Sequence, residues 1–178
     1  MKQSEINSLI DDARSCFVAH GWALPPEPKW DVTDFSLGDW RKHGLLLLNL
    51  TEQAEYCEKL MYSKRGMVCP CHCHAKKKED IIVRWGELTL RTWRGRPESH
   101  DGGAFELLVN GKLRGTRGGD QLVLQAGERV TLTPGTYHDF WASSDECIIG
   151  EVSTANDDDH DNFFVNPQIG RYGSVEAD

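Results

Sequence analysis

Gly66-Met-Val-Cys-Pro-Cys-His72-Cys-His74-Ala-Lys-Lys-Lys-Glu79-Asp-Ile-Ile-Val-Arg-Trp-Gly86 is the stretch that decides the fold. If the segment is extended, His72 and His74 share one face, because side chains alternate faces along a strand. A short bend then brings Glu79 back to the same point. These three side chains form most of a metal site, and we expect the fourth ligand in Pro134-Gly-Thr-Tyr-His138.

The composition is that of an acidic, domain-sized chain. Its 178 residues are 39% hydrophobic, enough for a core, and carry a net charge of −8. Nucleic acids and anionic membranes call for clustered Lys and Arg, so neither is expected as a partner. The sequence contains no apolar run of the roughly 20 residues that cross a bilayer, and its polar start lacks the apolar core of a signal peptide. We therefore expect a cytoplasmic protein.

Helical periodicity is limited to residues 4–20, with Ser4 as a candidate N-cap and Gly21 just past the end. A proline-rich linker follows, because prolines cannot continue a helix. From Trp30 onward we predict ten short strands: 45–50, 57–62, 67–74, 80–84, 88–93, 105–109, 121–124, 129–132, 138–141 and 147–152. Asn110-Gly111 predicts a hairpin turn, since both positions tolerate positive φ. Strands and turns at this frequency indicate an all-β sandwich or barrel.

The six cysteines do not indicate a disulfide framework. Cys69, Cys71 and Cys73 alternate, and side chains two residues apart on one strand run parallel and are poor disulfide partners. We expect reduced thiols, as in most intracellular proteins. A zinc cluster of these thiols with the histidines is an alternative. Alternation argues against it, because it places the three sulfurs opposite the imidazoles, and packing as small hydrophobic residues is favoured.

Three imidazoles and one carboxylate form a ligand set that suits Mn, Fe, Co, Ni or Zn, and a set held from one side leaves coordination positions open. The spacing from Gly66 through His72, His74 and Glu79 to Gly86 resembles the first cupin motif. The second cupin motif is present in looser form and ends at His138, the expected fourth ligand. The other histidines have no ligand-spaced partner, and we expect them not to bind metal: His20, His43, His100 and His160.

The cupin resemblance implies a double-stranded β-helix, which is a jelly-roll barrel, with the metal inside. The implied ligands are His72, His74, Glu79 and His138. We expect a single domain over residues 1–178, made of three parts. These are an N-terminal helix and linker over 1–28, the barrel over 29–165, and a C-terminal tail over 166–178.

A closer resemblance covers most of the chain. The segments that look like the D-lyxose isomerase family are, in order, Trp30-Asp-Val-Thr-Asp-Phe35, Glu58-Lys-Leu-Met61, His72-x-His74 with Lys77 and Glu79-Asp-Ile, Pro134-Gly-x-Tyr-His138-x-Phe-Trp141, Gly150-Glu-Val-Ser-Thr-x-Asn-Asp-Asp158, Asp161-Asn162 and Ile169-Gly-Arg171. Where the family usually reads Asp-Asn-Arg-Phe, this chain has Asp161-Asn162-Phe163-Phe164. The acidic ending that is typical of longer members is short in this chain, Val175-Glu-Ala-Asp178. The resemblance implies an isomerase of D-lyxose and D-xylulose, also acting on D-mannose and D-fructose, with Mn²⁺ as cofactor and a homodimer as the assembled state.

Glu151 is the first candidate for the proton-transferring base. It follows an apolar run, where an ionisable group facing a barrel interior is costly unless it has a function. Strand alternation leaves the alternative that it points outward. The resemblance implies that Lys59 contacts the sugar oxygen or steadies the enediolate, with a surface lysine as the alternative. It also implies that Lys77 lies at the pocket mouth and that Asp161 and Arg171 bind hydroxyls further out.

An aldose–ketose isomerase moves a proton between C1 and C2. A divalent metal with two adjacent open positions can hold O1 and O2 and stabilise the enediolate between them. Two alternatives use the same ligands. A cupin oxygenase would consume O₂ with Fe²⁺, and a sugar-binding cupin would bind its ligand without turnover.

Overall fold

The computed structural model describes residues 1–99, 102–154, 156–157, 159–171, 173, 175–176 and 178. This part of the chain contains one α-helix, one short 3₁₀ turn at Pro97–Ser99, and thirteen strands. The elements are α1 (Gln3–Ala19), β1 (Lys29–Thr33), β2 (Leu45–Glu52), β3 (Tyr56–Lys64), β4 (Val68–Cys73), β5 (Glu79–Trp85), β6 (Glu87–Trp93), β7 (Ala104–Val109), β8 (Lys112–Arg117), β9 (Gln121–Gln125), β10 (Arg129–Leu132), β11 (Tyr137–Ala142), β12 (Glu146–Thr154) and β13 (Phe163–Phe164).

Two antiparallel sheets form the barrel. Among the described residues, the larger sheet has eight strands in the order β1-β2-β3-β12-β5-β10-β7-β8, and the smaller has five in the order β13-β4-β11-β6-β9. Buried apolar side chains from both sheets meet in one interior, among them Leu47, Ile81, Leu90 and Phe140. The predicted all-β jelly-roll barrel is confirmed, and it brings strands that are distant in the chain together.

The N-terminal helix α1 packs against the outer surface of the larger sheet. Its buried residues Leu9, Ala13 and Phe17 join a second apolar cluster that the strands complete with Leu46, Leu48, Leu60, Tyr62 and Ile148. The predicted helix is confirmed, and Gly21 follows it with φ +84°. The predicted N-cap is wrong, because Lys2 holds that position and Ser4 lies in the first turn, where its backbone N–H and Oγ donate to the Asp178 carboxylate.

All ten predicted strands overlap observed strands. The hairpin turn at Asn110-Gly111 is confirmed, with φ values of +52° and +77° between β7 and β8. Three strands were not predicted: β1, β8 and β13. The residues of β8 are almost all exposed, including its one large apolar side chain, Leu113, and β13 has two residues, so neither shows the apolar alternation that marks a half-buried strand.

A β-bulge changes the orientation of one cysteine. His138 of β11 pairs with His72 of β4, but Phe140 pairs with Cys69, so three residues of β4 face two of β11. The extra residue reverses the alternation, and Cys69 joins the barrel interior together with Phe140. The prediction that all three sulfurs face away from the imidazoles is therefore wrong for Cys69. All six cysteines are free, as predicted.

The division of the chain into helix, barrel and tail within one domain stays a prediction. The tail lies against the N-terminal segment, where the backbone N–H of Gln3 donates to the carbonyl of Glu176 at 3.1 Å. In the described part of the chain, no helix has the length and apolar character that a membrane span requires. The expectation for His100 lies outside the described residues.

Candidate metal centre

Three buried imidazoles meet inside the barrel. His72 lies on β4, His74 immediately follows that strand, and His138 lies on the neighbouring β11 in register with His72. One ligand atom from each lies within 4.8 Å of the others. Strand alternation brings the first two together, as the sequence predicts, and the pairing of β4 with β11 supplies the third. Among the described residues, the cysteine sulfurs form no such group.

Backbone carbonyls fix the orientation of all three rings. The Nδ1 atoms of His72, His74 and His138 hydrogen-bond the carbonyl oxygens of Pro70 at 2.8 Å, Asp161 at 2.6 Å and Thr136 at 3.1 Å. Since a carbonyl oxygen can only accept, each Nδ1 is the protonated nitrogen and each Nε2 keeps its lone pair. The three rings are thus held in the tautomer that binds a metal through Nε2.

Burial keeps the imidazoles of His72 and His138 neutral. It lowers the pKa of His72 well below its ordinary value, and the neighbouring rings of His138 and His74 lower this pKa further. Burial also lowers the pKa of His138, despite the opposing effect of Glu79. Neutral rings are the form in which histidine ligates a metal.

The Glu79 carboxylate completes the group. Its Oε1 atom lies 3.3 Å from Nε2 of His138 and 3.6 Å from Nε2 of His74. That oxygen is buried and has no hydrogen-bond partner among the described residues. A carboxylate oxygen and two Nε2 lone pairs are all acceptors, and a buried acceptor without a donor is costly. The arrangement fits a cation between them, so the residues present suit a divalent metal.

Lys77 joins this carboxylate to the candidate base. Its Nζ donates to Oε2 of Glu79 at 2.9 Å and to Oε1 of Glu151 at 3.0 Å. Burial lowers the pKa of Lys77, but the two carboxylates outweigh burial and hold it above its ordinary value. Burial in turn raises the pKa of Glu79, and the Lys77 ammonium and the imidazoles more than reverse this, so Glu79 stays ionised.

Glu151 and Lys59 both line the same pocket. They lie opposite each other on β12 and β3, and both are buried, with exposed fractions of 5% and 1%. The outward alternative for Glu151 and the surface alternative for Lys59 are therefore excluded. The Ser153 hydroxyl also donates to Oε1 of Glu151, at 3.1 Å.

Asp161 has a different place from the one that the resemblance implies. Its carboxylate accepts the backbone N–H groups of Ala75, Lys76 and Lys77 at 2.8 to 3.1 Å, and its carbonyl holds His74. It is not among the residues that line the pocket. The role of Asp161 in binding a sugar hydroxyl stays a prediction, and in the structure its oxygens hold the segment that follows the His pair.

Two segments outside the central strands help to line the pocket: the turn at Phe35, and the C-terminal segment with Asn162, Phe164 and Arg171. Arg171 lines the pocket and pairs with Asp31 of β1 at 2.5 Å, and its role in binding a sugar hydroxyl stays a prediction. Several lining residues were not predicted as site residues, and three of them belong to these two segments: Phe35, Asn162 and Phe164. All three stand in or beside the family-like segments, and that position was the signal available for them.

The remaining described histidines lie away from the centre. His20 stacks on Trp85 with ring centroids 3.7 Å apart, and His160 bonds Asp157 on the surface. Together with His43, they take no part in the metal-ligating group among the described residues. The expectation that they are not ligands agrees with this placement.

Solved structures share the architecture. The L-ribose isomerase of Acinetobacter sp. DL28, solved in complex with L-ribose, matches with a TM-score of 0.76 at 16% identity over 99% of this chain and 98% of that one. The L-ribose isomerase of Cellulomonas parahominis matches with a TM-score of 0.73 at 17% identity over the same shares. At these identities the likeness establishes the fold. Fold and site together define a cupin-type barrel protein with a buried histidine triad that could hold a metal ion.

The sequence comparisons are more specific. A family model described as D-lyxose isomerase matches residues 27–178. The D-lyxose/D-mannose isomerases of Escherichia coli O157:H7 and Serratia proteamaculans are 32% and 33% identical to this chain, and each alignment covers 100% of it and 93% of the relative. This chain belongs to the D-lyxose isomerase family.

Proposed function

We propose that the protein is a divalent-metal-dependent isomerase that interconverts D-lyxose and D-xylulose, and D-mannose and D-fructose. The observation that carries the proposal is the buried Oε1 of Glu79, which faces the Nε2 atoms of His74 and His138 with no donor between them. Beside it lies a second carboxylate, Glu151, held by a shared lysine. A metal-binding group next to a placed base is what an enediolate mechanism requires.

Glu151 takes the proton in this proposal. Its Oε1 accepts hydrogen bonds from Lys77 and Ser153, which fix the plane of the carboxylate and leave Oε2 as the atom that removes the proton from C2 of the aldose and returns it to C1. The chemistry that a divalent cation supplies when bound by His72, His74, Glu79 and His138 is polarisation of the carbonyl and stabilisation of negative charge on O1 and O2.

The two buried lysines have separate roles. Lys77 keeps Glu79 ionised and holds the Glu79 and Glu151 carboxylates at a fixed separation. Lys59, across from Glu151, supplies a buried positive charge, and a buried charge stabilises a developing oxyanion more strongly than a charge in water does. Arg171 is proposed to bind a hydroxyl at the other end of the sugar.

Three finer points belong to the same proposal. The metal is Mn²⁺, a member of the group that imidazole and carboxylate ligands suit. The assembled state is a homodimer, which light scattering on the metal-loaded protein tests. The location is the cytoplasm, which the six free cysteines support because reducing compartments keep thiols free.

The decisive experiment loads the purified protein with one equivalent of Mn²⁺ and follows D-lyxose under anaerobic conditions. The proposal expects D-xylulose to form without oxygen, and the metal-free protein to be inactive until Mn²⁺ is restored. If oxygen is consumed when sugar is added, the oxygenase alternative replaces it. If sugar binds but no pentose or hexose is converted, the protein is a sugar-binding cupin and the isomerase proposal fails.

A further inference from the structure

Phe35 has an unusual backbone conformation. Its φ is +54°, in the left-handed region, and Ser36 beside it has φ +59°. A bulky aromatic residue is a rare occupant of that region, because its Cβ crowds the following carbonyl. Phe35 is also 2% exposed, so its ring is buried. Strain of this kind persists only where the surroundings impose it, and it occurs preferentially at functional sites.

Short polar contacts hold the Phe35 turn. The Thr33 hydroxyl accepts the N–H of Phe35 at 2.9 Å, and the Asp34 carboxylate accepts the N–H of Ser36 at 3.1 Å. Both acceptors belong to the family-like segment that ends at Phe35. Side chains of this length, two residues before the N–H that they accept, are the standard means of fixing a tight turn.

The C-terminal segment holds the same turn from the other side. The Phe35 carbonyl accepts the N–H of Gly170 at 3.2 Å, and the Thr33 hydroxyl donates to the carbonyl of Arg171 at 2.9 Å. At Gly173 the approach is so close that a Cβ would lie 2.2 Å from Oδ1 of Asp34. The turn and the tail therefore form one unit, which we call the pocket wall and define as residues 33–36 and 170–171.

The pocket wall directs two side chains into the pocket. The Phe35 ring packs edge-on against Phe164 with centroids 5.8 Å apart, and Phe164 lies 5.3 Å from the imidazole of His72. Arg171 lines the pocket beside them. Phe164 therefore connects Phe35 of the pocket wall to His72 of the metal-ligating group.

The polarity of the pocket surfaces indicates which way a sugar extends from the metal centre. Inward-facing strand residues contribute apolar side chains to the pocket lining, among them Leu45, Leu47, Met61 and Ile81. Outside the reactive groups, the lining also includes Arg171 of the pocket wall and Asn162, whose side chains can hydrogen-bond hydroxyls. With C1 and C2 at the reactive groups, the hydroxyl-bearing remainder of the sugar points to the wall.

We propose that Phe35 is a specificity-determining residue whose ring sets the length of sugar that the pocket accepts. The ring occupies the space into which the sixth carbon of a hexose would extend, so a five-carbon sugar fits better than a six-carbon one. The left-handed backbone is the means by which the turn points a large ring inward. This inference rests on the proposed isomerase function and adds the basis of its substrate preference.

The test compares kcat/KM for D-lyxose and D-mannose in Mn²⁺-loaded wild type, Phe35→Ala and Phe35→Leu. A hydrophobic pocket discriminates one carbon by about tenfold or more. The ratio of mannose to lyxose activity is therefore expected to rise by about tenfold in Phe35→Ala and by less in Phe35→Leu. The leucine variant keeps most of the buried apolar surface, so it decides the question if the alanine variant does not fold.

Two matched controls distinguish the effect of the Phe35 ring from the effect of backbone strain and from the loss of a neighbouring aromatic ring. Ser36→Gly removes strain from the same turn without changing the pocket lining, and Phe163→Ala removes a half-exposed ring beside Phe164. Both are expected to keep the wild-type ratio. The proposal is overturned if the folded Phe35 variants keep the wild-type ratio, or if Ser36→Gly shifts the ratio as much as they do.

Binding of polyols distinguishes this proposal from the function on which it rests. D-Arabinitol and D-mannitol are the reduced forms of D-lyxose and D-mannose, and their affinities follow from the increase in unfolding temperature with concentration. If wild type isomerises neither sugar, the proposed function has failed. Binding of the two polyols then still tests whether Phe35 sets the length of ligand that the pocket accepts. Phe35→Leu is expected to favour mannitol relative to arabinitol, and an unchanged preference overturns the proposal.

Discussion

The strands β2, β3 and β12 have two faces with opposite characters. On the outer face, Leu46, Leu60 and Ile148 pack under α1 in an entirely apolar cluster. On the inner face, the same strands present Lys59 and Glu151 beside buried apolar residues. Neighbouring residues in the chain thus serve different ends, because alternation sends Lys59 into the pocket and Leu60 under the helix. The outer face stabilises the fold, and the inner face retains costly buried charges for chemistry.

Glu151→Gln tests the inner face most strongly. The amide keeps the shape of the side chain but cannot take a proton, and general bases contribute about 10²- to 10⁴-fold to rate. We expect kcat to fall within that range while Mn²⁺ content and the unfolding temperature stay near the wild-type values. Retained activity would remove Glu151 from the role of base, and lost metal would show that it supports the centre instead.

The neighbours Lys59 and Leu60 give a matched pair across the two faces. Lys59→Met replaces a buried ammonium by an apolar group of similar length and removes its positive charge from beside Glu151, so we expect kcat to fall by about 10²- to 10³-fold. Leu60→Ala leaves a cavity under α1 and is expected to cost about 2–5 kcal/mol.

Urea denaturation and steady-state kinetics on the two variants measure these effects. The folded fraction of Leu60→Ala should keep the wild-type kcat, because this side chain does not reach the pocket. A wild-type kcat in Lys59→Met, or a large loss of kcat in folded Leu60→Ala, would contradict the separation of the two faces.

Substitution of Asp161 tests how the segment that follows the His pair supports the candidate metal centre on the inner face. In Asp161→Ala the backbone N–H groups of residues 75–77 lose their acceptor, and we expect Mn²⁺ affinity to fall by about 10- to 100-fold, as for other groups that orient metal ligands. Asp161→Asn keeps one acceptor oxygen and should lose less. Calorimetric titration with Mn²⁺ measures both. Equal affinities in wild type and the alanine variant would exclude this role.

The smallest expected effect is the pH dependence of the metal-free protein. Burial lowers the pKa of His72 and His138, so the unfolded chain binds protons more readily than the folded one as the pH falls below about 6.5. Stability is then highest above that pH and decreases as the pH falls toward the folded values. Urea midpoints at pH 7.5, 6.5 and 5.5 should decrease in that order. His138→Ala should flatten the dependence, and an equally steep one in that variant would exclude this cause.

Local sequence patterns predict much of the fold. Periodicity identifies α1 and ten strands, and alternation brings His72 and His74 together. It fails for β8, whose exposed residues carry no apolar signal, and for Cys69, whose orientation depends on a bulge set by pairing with β11. Contacts between distant segments decide such features, and a linear pattern does not contain them.

For the candidate site, local sequence patterns have the same limit: they do not contain contacts between distant segments. Spacing and resemblance select the four proposed ligands and the proposed base Glu151, because each carries a local signal. The bridge from Lys77 to both carboxylates depends on β5 and β12 being neighbours. The left-handed turn at Phe35 depends on the C-terminal segment that holds it. Neither follows from a motif.

A crystal structure of the Mn²⁺-loaded protein, with anomalous data collected at the manganese edge, tests the central claim most directly. One peak is expected inside the barrel, at coordination distance from the Nε2 atoms of His72, His74 and His138 and from Oε1 of Glu79. A peak elsewhere, a peak without Glu79 among its ligands, or no peak in the barrel would contradict the account.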